Sequence, residues 1–80
     1  MLSILFFSTL RDLIKTDEIT RPVPSPSTIT GLLEALQSEF PELHQWQGRL
    51  LVSVNLDYAT PETELKAGDE VALMPPVQGG

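Results

Sequence analysis

The residues best placed to do chemistry in this 80-residue sequence are the two that close it, Gly79 and Gly80. Neither has a Cβ, so they fit a narrow channel and present a terminal carboxylate without hindrance. A bare carboxylate of this kind is used by activation. ATP converts it to an acyl-adenylate, and a nucleophile then displaces AMP. A sulfide equivalent gives a thiocarboxylate. A thiol followed by a lysine amine gives an isopeptide. The sequence contains no cysteine, so if the chain carries sulfur, the carboxyl terminus is the only place for it. The competing reading is an ordinary frayed end. Against it stands the order of residues in Met74-Pro75-Pro76-Val77-Gln78-Gly79-Gly80. Prolines lack N–H groups and favour extended backbone, so a strand ending at Met74 would continue as a stiff arm. Six residues after Met74 reach about 20 Å when extended.

Other reactive side chains lack partners. His44 is the only histidine and sits in a polar connector with no orienting group beside it. Asp57, Glu62 and Glu64 do not follow the spacing of a calcium loop, and without cysteine no thiolate metal site exists. We therefore expect no metal and no cofactor bound by this chain. Eleven acidic residues face five basic ones, for a net charge of −6. That balance excludes nucleic acid and anionic membranes as main partners, and it suits a basic protein surface. No apolar run approaches the ~20 residues of a membrane span, and the N-terminus has no basic leader. A cytoplasmic chain is the expectation.

One small domain over residues 1–80 must position the tail. The segment Leu2–Phe7 reads as a strand, with residues 2, 4 and 6 on one face and 3, 5 and 7 on the other. Residues 8–15 read as a short helix capped by Ser8, with Leu10, Leu13 and Ile14 on one side. A weak edge strand follows over Glu18–Val23, then a loop at Pro24–Ser27. Thr28 caps the best helix, whose apolar side is Ile29, Leu32, Leu33, Leu36 and Phe40. Gly31 inside that helix points to close packing on a sheet, and Pro41 ends it. A connector at 41–48 has room for one helical turn. Arg49–Asn55 is a strand, 57–65 is short strand and turn, and Lys66–Asp69 is a turn in which Gly68 takes positive φ. Glu70–Met74 is the last strand. The economical packing is α+β: one helix on a mixed sheet with first and last strands central, as in a β-grasp.

If the main helix covers the face bearing Leu2, Ile4, Phe6, Leu50, Val52, Val54, Val71 and Leu73, the opposite face carries Ser3, Leu5, Phe7, Leu51, Ser53, Ala72 and Met74. An uncovered face should alternate to polar residues, yet this one is largely apolar. Contiguous exposed apolar surface marks a partner site. The alternative is that the short helix at 8–15 covers it as a second core layer. Arg11 would rim such an interface, or else be a solvated helix charge.

The stretch Leu65-Lys66-Ala67-Gly68-Asp69-Glu70-Val71-Ala72-Leu73-Met74-Pro75-Pro76-Val77-Gln78-Gly79-Gly80, with Leu5-Phe6-Phe7, Leu10-Arg11-Asp12-Leu13 and Thr28-Ile29 before it, resembles the small, sulfur-carrying subunit family of molybdopterin synthase (the MoaD family). The Pro-Pro-Val-x-Gly-Gly end is its most specific part. The resemblance implies a ubiquitin-like β-grasp with a flexible tail at 75–80. It implies that Gly80 is adenylated by an ATP-using, ubiquitin-activating-like partner (MoeB-like) and becomes a thiocarboxylate. Pro75, Pro76, Val77, Gln78 and Gly79 would insert into the large synthase subunit (MoaE-like) in a heterotetramer. Sulfur would pass to cyclic pyranopterin monophosphate, with the acid–base groups on the large subunit. Phe7, Tyr58 and Met74 fall at family positions that contact that subunit, and Arg11 matches a polar contact. Leu5 and Leu51 join the interface through the apolar face. A lysine-conjugated modifier and a thiazole-pathway sulfur carrier are the alternatives.

Overall fold

The computed structural model describes residues 1–46 and 48–76. Five strands form one mixed sheet: β1 (Leu2–Phe6), β2 (Glu18–Arg21), β3 (Leu51–Val54), β4 (Asp57–Tyr58) and β5 (Glu70–Met74). Their order is β2-β1-β5-β3-β4. β1 and β5 are parallel neighbours at the centre, and the other pairs are antiparallel. Helix α1 spans Thr9–Ile14 and α2 spans Ile29–Glu39. This is the expected β-grasp, with β2 confirmed at an edge and ending at Arg21, before Pro22 removes a donor.

Alternation decides which side of the sheet is core. Leu2, Ile4, Phe6, Val52, Val71 and Leu73 are buried, and α2 lays Ile29, Leu32 and Leu36 onto them. Phe6 meets Phe40 edge to face at 6.3 Å between ring centres. The Thr28 hydroxyl accepts from the Gly31 N–H at 3.2 Å, as its capping role requires. α2 stops at Glu39, and the Phe40 N–H closes the last turn on the Leu36 carbonyl at 2.7 Å.

Four expectations are corrected. Ser8 does not cap α1: its φ is 54°, outside the extended region a cap needs, and its side chain bonds nothing there. The 41–48 connector is a full 3-10 helix over Pro41–Trp46, which buries Leu43 under the core. β3 begins at Leu51 rather than Arg49, because the Arg49 N–H turns back to the Trp46 carbonyl at 2.9 Å. Gly31 packs not on the sheet but on the loop before its helix. A Cβ there would sit 2.1 Å from the Pro26 carbonyl oxygen. A backbone oxygen cannot swing aside, so overpacking outweighs the ~1 kcal/mol that alanine gains in helix propensity. Gly31→Ala is expected to cost about 1–3 kcal/mol net. Denaturant unfolding checks this, and an unchanged midpoint would count against the contact.

The end of the sheet remote from the tail is closed by a polar clasp. Asn55 and Leu56 take φ of 52° and 75° in the tight β3–β4 turn. The Asn55 amide donates to Asp69 Oδ1 at 3.0 Å and accepts from the Glu70 N–H at 3.0 Å, while the Lys66 N–H donates to Asp69 Oδ2 at 2.9 Å. The Lys66 N–H first, and the Asn55 amide second, hold the Asp69 carboxyl below the usual carboxylate range. A pKa lowered by folding stabilises the fold fully above the ordinary aspartate value of about 3.9, and this is lost as pH falls through the lower folded value. Asp69→Asn is therefore expected to lower the melting temperature at neutral pH and to narrow its gap from the parent below about pH 4. Parallel melting curves across that range would dismiss the clasp.

Candidate functional site

The second face of the sheet can be built row by row from the registers. Glu18 pairs with Leu5, Leu5 with Ala72, Ala72 with Ser53, and Ser53 with Tyr58. These five residues form one continuous row across all strands. The row towards the start of β5 holds Thr20, Ser3 and Glu70 and is polar. The row towards its end holds Phe7, Met74 and Leu51: Leu51 pairs with Met74, and the Phe7 N–H donates to the Leu73 carbonyl at 3.2 Å. The face thus grades from polar to apolar in the direction in which the chain leaves β5.

Nothing among the described residues makes this face a second core. Leu10 of α1 is fully buried in the same cluster as Leu2, Ile4 and Phe6, and Leu13 and Ile14 pack half-buried on that cluster. The short helix therefore spends its apolar side on the main core. Leu5, Phe7, Leu51, Tyr58 and Met74 take no part in that core. Phe7 is 44% and Tyr58 80% exposed, whereas Phe6 beside it is 1% exposed. Leu5, Leu51 and Met74 are half-buried, and Ser53 is buried between its small neighbour Ala72 and Tyr58. An exposed Phe and Tyr on one face with three half-buried aliphatic side chains is a surface suited to a protein partner.

Arg11 is exposed and lines one open groove with Leu5, Phe7, Asp17 and Glu18. It stands at the margin of the apolar row. The other two arginines are engaged. Arg21 is tied to Glu39 by a two-pronged ion pair that fastens edge strand β2 to α2, with Nε donating to Oε1 at 2.8 Å. The Arg49 guanidinium lies 5.4 Å from the centre of the Trp46 ring. Trp46 itself packs half-buried against the core.

Pro75 and Pro76 follow β5 and are half-buried. Val77, Gln78, Gly79 and Gly80 lie outside the described residues. Among the described residues no group of acidic or histidine side chains is arranged to hold a metal, and His44 is exposed in the 3-10 helix. Among these residues no helix is long and apolar enough to cross a membrane. Sequence reasoning missed the polar clasp at Asn55 and Asp69, which supports the β3–β4 hairpin carrying Tyr58. Its signal was an asparagine at a hairpin turn, where this residue tolerates positive φ.

The chain is 37% identical to a molybdopterin synthase sulfur carrier subunit of Escherichia coli, with all of both chains covered. Among solved structures, a chain in the complex of subunits 1 and 2 of molybdopterin-converting factor from Helicobacter pylori superposes with a TM-score of 0.65 at 27% identity, covering 99% of this chain and 97% of that one. SAMP1 from Haloferax volcanii superposes at 0.79 with 25% identity, covering 99% and 98%. The model of the ThiS family matches residues 4–80, from within β1 to Gly80, and the chain belongs to that family.

Proposed function

We propose that this chain is the sulfur carrier subunit of a molybdopterin synthase. The observation that carries the reading is the apolar row Phe7–Met74–Leu51, placed on the sheet margin from which the tail departs. A carrier must dock and thread at once, and a surface whose apolar end coincides with the root of its tail serves both. Relatives bearing this function's name cover the chain end to end.

The steps follow from the chemistry of a terminal carboxylate. An adenylating partner attacks ATP with the Gly80 carboxylate, releasing pyrophosphate. A sulfide equivalent displaces AMP and leaves a thiocarboxylate. The tail then enters the large subunit, where sulfur transfers to cyclic pyranopterin monophosphate and water restores the carboxylate. Pro75 and Pro76 direct the tail, Val77, Gln78 and Gly79 thread, and Leu5, Phe7, Leu51, Tyr58 and Met74 dock with Arg11 at their rim. ATP and the pterin are held by the partners. This chain contributes the reacting atom and the large subunit the catalytic groups. The working assembly is a heterotetramer in the cytoplasm.

The deciding experiment is the intact mass of the chain recovered from its own cells under denaturing conditions. Free chain heavier by one oxygen-to-sulfur exchange is expected. The likeness to SAMP1 favours one other reading, a modifier joined to lysines. Adducts with other proteins through Gly80 would select it. Unmodified free chain alone would remove both.

A further inference from the structure

The hydrogen-bond parity of the central strand gives the two prolines separate tasks. In the parallel ladder, Ser3 N–H donates to the Asp69 carbonyl at 3.1 Å and Phe7 N–H to the Leu73 carbonyl at 3.2 Å. In such a ladder, residues Ser3, Leu5 and Phe7 of the first segment each accept in turn from the residue two beyond the one they donate to. Their carbonyls therefore call on the N–H groups of Val71, Leu73 and residue 75. Residue 75 is proline. On the other side, Asn55 N–H donates to the Glu70 carbonyl at 2.8 Å, and the register pairs Ser53 with Ala72 and Leu51 with Met74. The next exchanging pair in that antiparallel series would be Arg49 with residue 76. Residue 76 is also proline. Successive N–H groups of a strand point to opposite neighbours, so one proline silences only one ladder. A strand flanked on both sides needs two in a row.

The two acceptors they would have served are not equivalent. The Phe7 carbonyl already accepts one bond, from the Leu10 N–H at 3.1 Å, which opens α1, so a second would add less. Among the described residues no N–H donates to the Arg49 carbonyl. We infer that Pro75 and Pro76 are one-sided stops, and that Pro76, which the β3–β5 register extended one step past Leu51–Met74 sets opposite Arg49, is the positioning residue that keeps β5 from pairing further with the chain before β3. This rests on the sulfur-carrier reading for its consequence but not for its geometry. Pro76→Ala restores a donor, extends β5 by two residues and shortens the tail beyond it from six residues to four. Its reach falls from about 20 Å to about 14 Å.

The test uses the full chain as parent, Pro75→Ala, Pro76→Ala, and a chemically synthesised chain with N-methylalanine at 76, which lacks both the ring and the N–H. Amide hydrogen exchange followed by NMR needs no partner. The alanine 76 amide is expected to exchange about tenfold more slowly than in a free tail peptide, the worth of one hydrogen bond. The residue 75 amide of Pro75→Ala should stay within about twofold, since its acceptor already holds one hydrogen bond. In adenylation by the activating partner, Pro76→Ala is expected to raise KM about five- to tenfold at unchanged kcat, because only the unzipped fraction is competent. N-methylalanine should restore the parent value. An unprotected amide at 76, a larger effect at 75, or an N-methylalanine chain as impaired as alanine would each overturn the assignment. Protection at 76 with no adenylation of any chain would keep the stop and sink the carrier reading instead.

Discussion

A chain carrying one additional residue after Gly80 is expected to form no thiocarboxylate. Adenylation requires the carboxyl carbon in line with the α-phosphate, and misplacing a reacting group by even about 1 Å costs about 100-fold. An added residue moves the carboxylate by about 3.5 Å. It also places a Cβ where two glycines leave a channel narrow, so alanine should be blocked more completely than glycine. Intact mass after incubation with the activating partner, ATP and a sulfur donor reads the result directly. Docking is expected to survive, because the apolar row lies outside the tail. An extended chain that still binds but is not activated would thus separate threading from docking. Normal thiocarboxylate formation on it would refute the terminal-carboxylate mechanism.

Phe7→Asp is expected to weaken binding to the large subunit about 100-fold or more while leaving the fold in place. Two magnitudes decide this. Phe7 is 44% exposed and stands outside the core cluster, so its replacement costs the isolated chain little. In the complex the same position would bury a carboxylate in the apolar row with Met74 and Leu51, and central aromatic anchors of interfaces are typically worth 2 kcal/mol or more. Circular dichroism and titration calorimetry on the same sample test both halves. Phe6→Asp is the control. That neighbour is fully inside the core, and its replacement should unfold the chain. If Phe7→Asp unfolds as well, the assignment of faces is wrong. If it binds normally, the docking surface lies elsewhere.

The contrast between Phe6 and Phe7 shows what was legible in the sequence. Strict alternation along Leu2–Phe7 and Glu70–Met74 fixes the face of every residue, because the period of a strand is two and admits no drift. The Thr28 cap and the positive φ of Gly68 follow from similarly local rules, whereas the central pairing of β1 and β5 followed from the economy of packing one helix on a mixed sheet. What escaped depended on partners distant in sequence. Ser8 has the right side chain for a cap, but the Phe7 carbonyl engages Leu10, and Ser8 is left at positive φ. Gly31 signals close approach without saying to what, and the answer is a loop carbonyl. The 3-10 helix over Pro41–Trp46 is too short for a helical period to show, although Pro41 at its start and Leu43 beneath the core are its traces. The docking face was readable as an anomaly, an apolar stripe where polar residues belong. The extent of α1 decided between partner and second core, and only the burial of Leu10 in the main cluster resolved it.

The parallel pairing of β1 with β5 also bears on how the chain is made. The strand that leads into the tail is the one that fills the centre of the sheet, between β1 and β3. Val71 and Leu73 are fully buried members of the core. A nascent chain that has not yet delivered them from the ribosome holds β1 without its central neighbour. In a domain with roughly 0.05–0.15 kcal/mol of stability per residue, losing two such residues exceeds much of the total. A copy terminated before these two residues therefore does not fold. Folding therefore waits on synthesis to within six residues of Gly80.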